Sequence, residues 1–153
     1  MTAAILHLSV QYATTRPVPR RDQVRRWVRG ALRVIDRPEA GLTIRFVDAD
    51  EGRALNRQFR GKDYATNVLT FPYDVEEPQS PRVEADIVIC MPVVQSEART
   101  QHKDVMIHCA HLVIHGVLHA SGRDHEDPKE AEAMEDEERR VLARFRIADP
   151  YAS

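Results

Sequence analysis

The chain has 153 residues, of which 42% are hydrophobic and 30% charged, and its formal net charge is −2. These values are ordinary for one globular domain, and its two cysteines, Cys90 and Cys109, lie in separate apolar segments and form no disulfide framework. The sequence contains no signal-peptide pattern and no apolar run of the roughly 18–20 residues that span a membrane, so we expect a cytoplasmic protein without a membrane partner.

Apolar periodicity predicts strands and helices in mixed order along the chain. Strands are predicted at Ile5–Val10, Leu42–Val47, Thr66–Phe71 and Val83–Cys90. Helices are predicted over Val24–Ile35, from a cap at Asp50 to Gly61, near Val93–Arg99, from about Lys103 to Ser121, and after the Asp127-Pro128 cap, with a loop at Glu76–Pro81. We therefore expect an α/β (α+β) fold in one domain, residues 1–153, with a mixed four-stranded sheet and four to six helices.

Charge is unevenly distributed along this sequence. From Arg16 to Arg37 there are eight arginines against two acids, whereas Asp124 to Glu138 holds nine acids against one lysine. Most of the arginines lie on the polar side of the first predicted helix. They form either a solvated helix face or a surface that contacts phosphates, and the sequence leaves both interpretations open.

A histidine-bearing apolar segment, residues 105–118, is the feature with the clearest chemistry. His115 and His119 are four residues apart, so their Cβ atoms would lie about 5–6 Å apart on one side of a helix. Gly122 can end that helix in a left-handed conformation and let the chain turn back with His125. This spacing predicts His115, His119 and His125 as metal ligands on a central buried helix.

Three imidazole ligands with room for water are typical of catalytic zinc, which lowers the pKa of bound water toward about 7. Nickel, copper or iron also suits three imidazoles. Asp124 is a candidate hydrogen-bond acceptor that would fix the tautomer of a ligand imidazole. We interpret His108 and His111, on the same helix, as structural.

The histidine spacing also matches the metzincin protease motif H-E-x-x-H-x-x-G-x-x-H, with one change. Where those proteases have the glutamate that acts as general base, this chain has Gly116. Glycine cannot transfer a proton, and inside a helix it costs about 0.5–1 kcal/mol relative to alanine. We therefore expect backbone or substrate to approach the helix closely at Gly116, and we disfavour a protease of the metzincin type.

Three segments of the sequence form a specific set: H-G-x-L-H-x-x-G-x-D-H at His115 to His125, L-N-R-Q-F-R at Leu55 to Arg60, and T-N-V-L-T-F-P at Thr66 to Pro72. With these segments the sequence resembles the YbeY family of bacterial rRNA maturation endoribonucleases. Asp86-Ile87 in the fourth predicted strand also fits the family pattern. The order and spacing of these segments agree over most of the chain.

This resemblance implies a zinc-dependent, single-strand-specific endoribonuclease that acts in 3′ end maturation of small-subunit rRNA and in ribosome quality control. It implies rRNA, the small ribosomal subunit and assembly factors as partners, with His115, His119 and His125 as metal ligands. It also implies that Arg60 is a functional, catalytic arginine. A guanidinium can bind two non-bridging oxygens of a phosphate that gains negative charge, although Arg60 could instead pair with the dipole at a helix end.

The sequence departs from the family at two positions. Asn67 stands where the family usually has aspartate, and Thr70 stands where it usually has serine, so an acid–base role cannot be carried over to Asn67. Two alternative functions remain open at this stage. One is a non-enzymatic ribosome-assembly factor with a structural metal, and the other is a metallohydrolase that acts on another substrate, including peptides.

Overall fold

The computed structural model describes residues 5–73, 82–122 and 127–151. These residues form four strands and five helices: β1 (Ile5–Ala13), α1 (Arg21–Val34), β2 (Glu39–Val47), α2 (Ala49–Arg60), β3 (Val68–Pro72), β4 (Arg82–Cys90), α3 (Met91–Thr100), α4 (Val105–Ala120) and α5 (Pro128–Arg144). The predicted α+β fold in one domain, with a mixed four-stranded sheet, is confirmed. The loop predicted at 76–81 lies outside the described residues.

The strands form one sheet in the order β1-β2-β4-β3. β1 pairs with β2 and β2 with β4 in parallel, whereas β3 pairs with β4 in the antiparallel sense. The register aligns Leu8, Leu42 and Ala85 on one face, which we call the inner face. The neighbouring row, which includes Thr43 and Asp86, lies on the opposite, outer face because side chains alternate along a strand.

The main hydrophobic core lies between the inner face and the helices α1, α4 and α5, and Met91 and Val94 of α3 are buried in it as well. Each helix contributes an apolar stripe at helical spacing, and large side chains such as Phe46, Leu32 and Leu118 are fully buried there. α4 is buried along most of its length, as expected for the histidine helix. This packing fixes α4 between the sheet and the other two helices.

A smaller apolar cluster lies on the outer face, where α2 packs against the end of β4. Leu55 of α2 contacts a cluster that includes Val47 and Val88. Because this cluster is on the outer face and the main core is on the inner face, α2 and α4 lie on opposite faces of the sheet.

Cys90 and Cys109 are both buried free thiols, as expected, and burial raises the pKa of Cys109 to about 12.

The start and the end predicted for α2 agree differently with the structure. The cap predicted at Asp50 is wrong: α2 begins at Ala49 with Asp48 as its N-cap residue, and the Asp48 carboxylate accepts a hydrogen bond from Thr14 Oγ1 at 2.6 Å. The predicted end at Gly61 is confirmed, with a left-handed φ of 69°. Within the described ranges, the structure contains no helix that is both long and apolar enough to cross a membrane.

Candidate metal centre

α4 carries the histidines, and its ends are defined by local chemistry. The Asp104 carboxylate caps the first turn by accepting hydrogen bonds from the backbone N–H groups of Met106 and Ile107, at 2.9 and 3.3 Å. At the other end Gly122 has a φ of 96° and donates its N–H to the carbonyl of His119 at 3.1 Å. The left-handed glycine predicted after this helix is therefore confirmed.

Gly116 lies where α4 packs on the sheet. A Cβ atom at this residue would be 2.9 Å from Cγ2 of Ile87, closer than side chains pack. A close approach at Gly116 was expected and is present, but the expected partner, backbone or substrate, is wrong, because the side chain of Ile87 on β4 fills this space. A glutamate here would point into the core, so the metzincin arrangement does not fit this helix.

A buried glutamate on α5 holds two histidines of α4. Nδ1 of His115 donates to Oε1 of Glu138, and His111 Nε2 contacts Oε2 at 2.9 Å. The hydroxyl of Tyr151 donates to the same Oε2 at 2.5 Å. The side chain of Glu138 is fully buried, so both carboxylate oxygens are satisfied by protein donors and not by water.

These contacts determine the charge of the glutamate. Burial alone would raise the pKa of Glu138, but the hydrogen bonds from His111 and His115 lower it to about 2. Burial and the adjacent carboxylate raise the pKa of Tyr151, so its hydroxyl keeps its proton. At neutral pH Glu138 is therefore an ionised acceptor, which requires the hydrogen of His115 to be on Nδ1 and leaves Nε2 as the nitrogen that can ligate a metal.

The same residues form a group that could hold a metal ion. One ligand atom from each of His111, His115 and Glu138 can be chosen so that all lie within 4.8 Å of one another. His111, which we interpreted from the sequence as structural, belongs to this group. Two arrangements are chemically open: Glu138 ligates the ion directly, or it orients His115 while other imidazoles complete the site.

Among the predicted ligands, His115 and His119 lie on one side of α4 with ring centroids 6.4 Å apart. His125 and Asp124 lie outside the described residues, so the three-histidine ligand set stays a prediction. Glu138 is the residue that the sequence analysis missed. The sequence does indicate a buried, paired carboxylate at this position. Glu138 falls between Met134 and Val141 on the buried stripe of α5, where an unpaired carboxylate is rarely found.

A second polar network lies beside the N-terminal half of α4. Asn67 Nδ2 donates to the Glu97 carboxylate at 3.0 Å, and Nε2 of His108 contacts the same carboxylate at 3.0 Å. Asn67 Oδ1 accepts from the N–H of Val68 at 2.7 Å, and β3 begins at Val68, two residues later than the predicted start at Thr66. The amide of Asn67 is thus used as a donor, a role that the usual aspartate could not fill while ionised.

Arg60 is the last residue of α2, and its side chain is exposed. It forms no hydrogen bond or ion pair with any other described residue, and α2 packs on the sheet face opposite α4. No contact within the described ranges joins Arg60 to the histidines. Its role at a phosphate therefore stays a prediction.

Comparison with known proteins identifies the family. The family model described as Endoribonuclease YbeY matches residues 10–146. The chain belongs to the YbeY family. A YbeY relative from Stenotrophomonas maltophilia (strain R551-3), named Endoribonuclease YbeY, is 54% identical over 152 residues, which cover 96% of this chain and 94% of that protein. Another with this name, from Methylibium petroleiphilum, is 51% identical over 150 residues, covering 97% and 95%.

A solved structure supports the fold of this YbeY-family chain independently. The solution structure of TM1509 from Thermotoga maritima matches with a TM-score of 0.59 over 95% of this chain and 99% of that one. The two sequences are only 23% identical, so this likeness concerns the fold alone.

Proposed function

We propose that this protein is a metal-dependent endoribonuclease that cleaves unpaired RNA. The observation that carries the proposal is the buried Glu138 carboxylate that holds the ring of His115 in a chain of the YbeY family. The chain acts as one domain, residues 1–153, in the cytoplasm. Its substrate is the 3′ end region of small-subunit rRNA, and its partners are the small ribosomal subunit and assembly factors.

The proposed metal is one Zn²⁺ per chain, bound by His115, His119 and His125. Two features of the described residues support this choice. His115 and His119 are four residues apart on one side of α4, and Glu138 fixes the His115 tautomer that leaves Nε2 for the ion. Neutral imidazole is a preferred zinc ligand, and a site with three protein ligands keeps a place for water or substrate.

When bound, zinc would supply Lewis-acid stabilisation of the phosphate and a water of lowered pKa. The chain's own residues would do the rest. Glu138 keeps His115 oriented, which preserves the geometry that catalysis needs. Arg60 would bind the non-bridging oxygens of the scissile phosphate as negative charge develops on them.

The alternative of a peptide hydrolase is disfavoured by Gly116. The metzincin general base is missing at this position, and Ile87 fills the space that its side chain would need. Casein degradation that is abolished by His119→Ala would overturn this argument. The alternative of an assembly factor with a structural metal predicts instead that His115→Ala unfolds the protein.

The experiment that tests the proposal combines elemental analysis with cleavage of a structured rRNA fragment. The variants are His115→Ala, Arg60→Ala and, as a control, His7→Ala, which removes an exposed imidazole on β1. We expect His115→Ala to stay folded with loss of metal and cleavage, and Arg60→Ala to keep the metal and lose cleavage. His7→Ala should match the wild type. Bound metal without RNA cleavage by the wild type would favour the structural role.

A further inference from the structure

The end of α2 exposes aromatic rings that the core does not use. Phe59, in the last turn of α2, is 59% exposed, and Tyr64, in the segment that joins α2 to β3, is 55% exposed. One side of Phe59 is packed, since its ring meets that of Phe71 edge-on with centroids 5.2 Å apart. The rest of its surface faces solvent, so this part of the ring adds no hydrophobic stabilisation to the folded state.

Side-chain contacts from α2 hold the segment after Gly61 in place. Asn56 of α2 is buried and donates from Nδ2 to the carbonyl of Tyr64 at 2.7 Å. Arg53 of α2 binds the Asp63 carboxylate with two nitrogens, at 2.8 and 3.0 Å. Both contacts tie the segment after Gly61 to the helix that carries Phe59. A ring presented in this way loses little conformational entropy when it binds a partner.

Three basic residues accompany the two rings along the chain. The side chains of Arg57, Arg60 and Lys62 are exposed and form no ion pair or hydrogen bond with the rest of the described chain. The acid next to them in sequence, Asp63, is already paired with Arg53. We call Arg57, Phe59, Arg60, Lys62 and Tyr64 together the α2 patch. It presents two aromatic rings and three cations without a competing free carboxylate within its own segment.

We propose that the α2 patch binds unpaired nucleotides of the RNA substrate, with bases stacked on Phe59 and Tyr64. Arg57 and Lys62 would contact the flanking phosphates, whereas Arg60 keeps the scissile phosphate that the proposed function gives it. Aromatic rings beside basic residues are the combination that binds single-stranded nucleic acid, because every base has a face that stacks. A duplex hides those faces between its base pairs, so the α2 patch would favour unpaired RNA. This inference rests on the proposed function and adds to it a place where the substrate is held.

The test measures binding of a fluorescently labelled, unstructured oligoribonucleotide to the metal-loaded protein by stopped-flow anisotropy, read before cleavage proceeds. Phe59→Leu keeps an apolar contact with Phe71 but removes the stacking ring. Since stacking contributes about 1–3 kcal/mol per base, we expect the affinity to fall about tenfold. The control is Ile107→Ala, which truncates an exposed apolar side chain on α4 and should leave the affinity unchanged.

The charged residues are tested through salt dependence. Each phosphate contact on a single strand adds about 0.7 to the slope of log affinity against log salt. Arg57→Gln and Lys62→Gln should therefore each reduce the slope by about 0.7, whereas Arg25→Gln, an exposed arginine of α1, should not. The same oligoribonucleotide annealed to its complement should bind more weakly to the wild type and should not respond to Phe59→Leu.

The outcomes separate this inference from the proposed function. Wild-type cleavage of RNA together with unchanged binding by Phe59→Leu and Arg57→Gln would overturn the inference alone. A slope reduced by Arg25→Gln and not by Arg57→Gln would assign the contact to α1 and also overturn it. Absence of both RNA binding and cleavage in the wild type would overturn both proposals. Binding to phosphatidylglycerol vesicles that needs Phe59, with RNA binding that does not, would assign the α2 patch to a lipid surface.

Discussion

Glu138→Gln is the most informative single change at the metal centre. It keeps the size of the side chain but removes its charge and replaces one acceptor oxygen with an NH₂ donor. In the wild type the two oxygens accept from His115, His111 and Tyr151, so the new donor must face at least one group that is itself a donor. Leaving a buried polar group unsatisfied costs about 1–3 kcal/mol of folding free energy.

The same change should weaken metal binding. Loss of the acceptor that orients a ligand histidine typically reduces metal affinity by about 10- to 100-fold, which is about 1.4–2.7 kcal/mol. We therefore expect Glu138→Gln to stay folded, because total stabilities are about 5–15 kcal/mol, and to bind zinc about 10- to 100-fold more weakly. Urea unfolding measures the first quantity, and competition with a chromophoric chelator measures the second.

The matched control is Glu132→Gln on the same helix. Glu132 is exposed and has no hydrogen bond or ion pair with the described residues, so the same chemical change there should alter neither quantity. Lower stability of Glu138→Gln, with a zinc affinity equal to that of the wild type and the control, would contradict a role of Glu138 in metal binding. That result would make Glu138 a core residue that neutralises histidines, without influence on the metal.

Three further outcomes follow from the described contacts. The pKa of Glu138 is about 2 in the folded chain against an ordinary 4.5, so the ionised carboxylate stabilises the fold by about 3 kcal/mol. In urea unfolding this stabilisation should be complete above pH 5 and should disappear as the pH falls toward 2. Glu138→Gln should abolish this pH-dependent contribution. Gly116→Ala should destabilise by about 1–3 kcal/mol in thermal unfolding, because its Cβ would lie 2.9 Å from Ile87 Cγ2. The same change should cost less in an Ile87→Ala background, which lacks Cγ2. Asn67→Asp should bring a carboxylate to about 3 Å from that of Glu97 and lower stability at pH 7 by about 1 kcal/mol, with a smaller loss at pH 5, where the pair can share a proton.

The elements that the sequence predicted well are those with local signals. α5 begins as predicted, with Pro128 in its first turn and the Asp127 carboxylate accepting from Lys129 N–H at 2.8 Å. α2 ends at Gly61, whose left-handed conformation is adopted most readily by a residue without a Cβ. Caps and terminal glycines act within a few residues of the chain, so they are readable without knowledge of the fold.

Features that depend on tertiary packing were not predictable in the same way. The strand order β1-β2-β4-β3 places β3 at the edge of the sheet and follows from no local motif. Glu138 and His115 are 23 residues apart, and their contact exists only because α5 packs against α4. α2 begins before the predicted cap at Asp50, and the Asp48 carboxylate makes no capping hydrogen bond but accepts one from Thr14, 34 residues away.

The position of Glu138 also limits what it can do in the reaction. A general base must reach the proton that it removes, and its pKa should be near the working pH. Glu138 is fully buried, both of its oxygens accept from protein donors, and its pKa is about 2. It is therefore a poor proton acceptor for an attacking water, in contrast to the metzincin glutamate whose place Gly116 takes. We infer that the carboxylate acts on the orientation of His115 and that the proton of the attacking group is removed by another residue or oxygen.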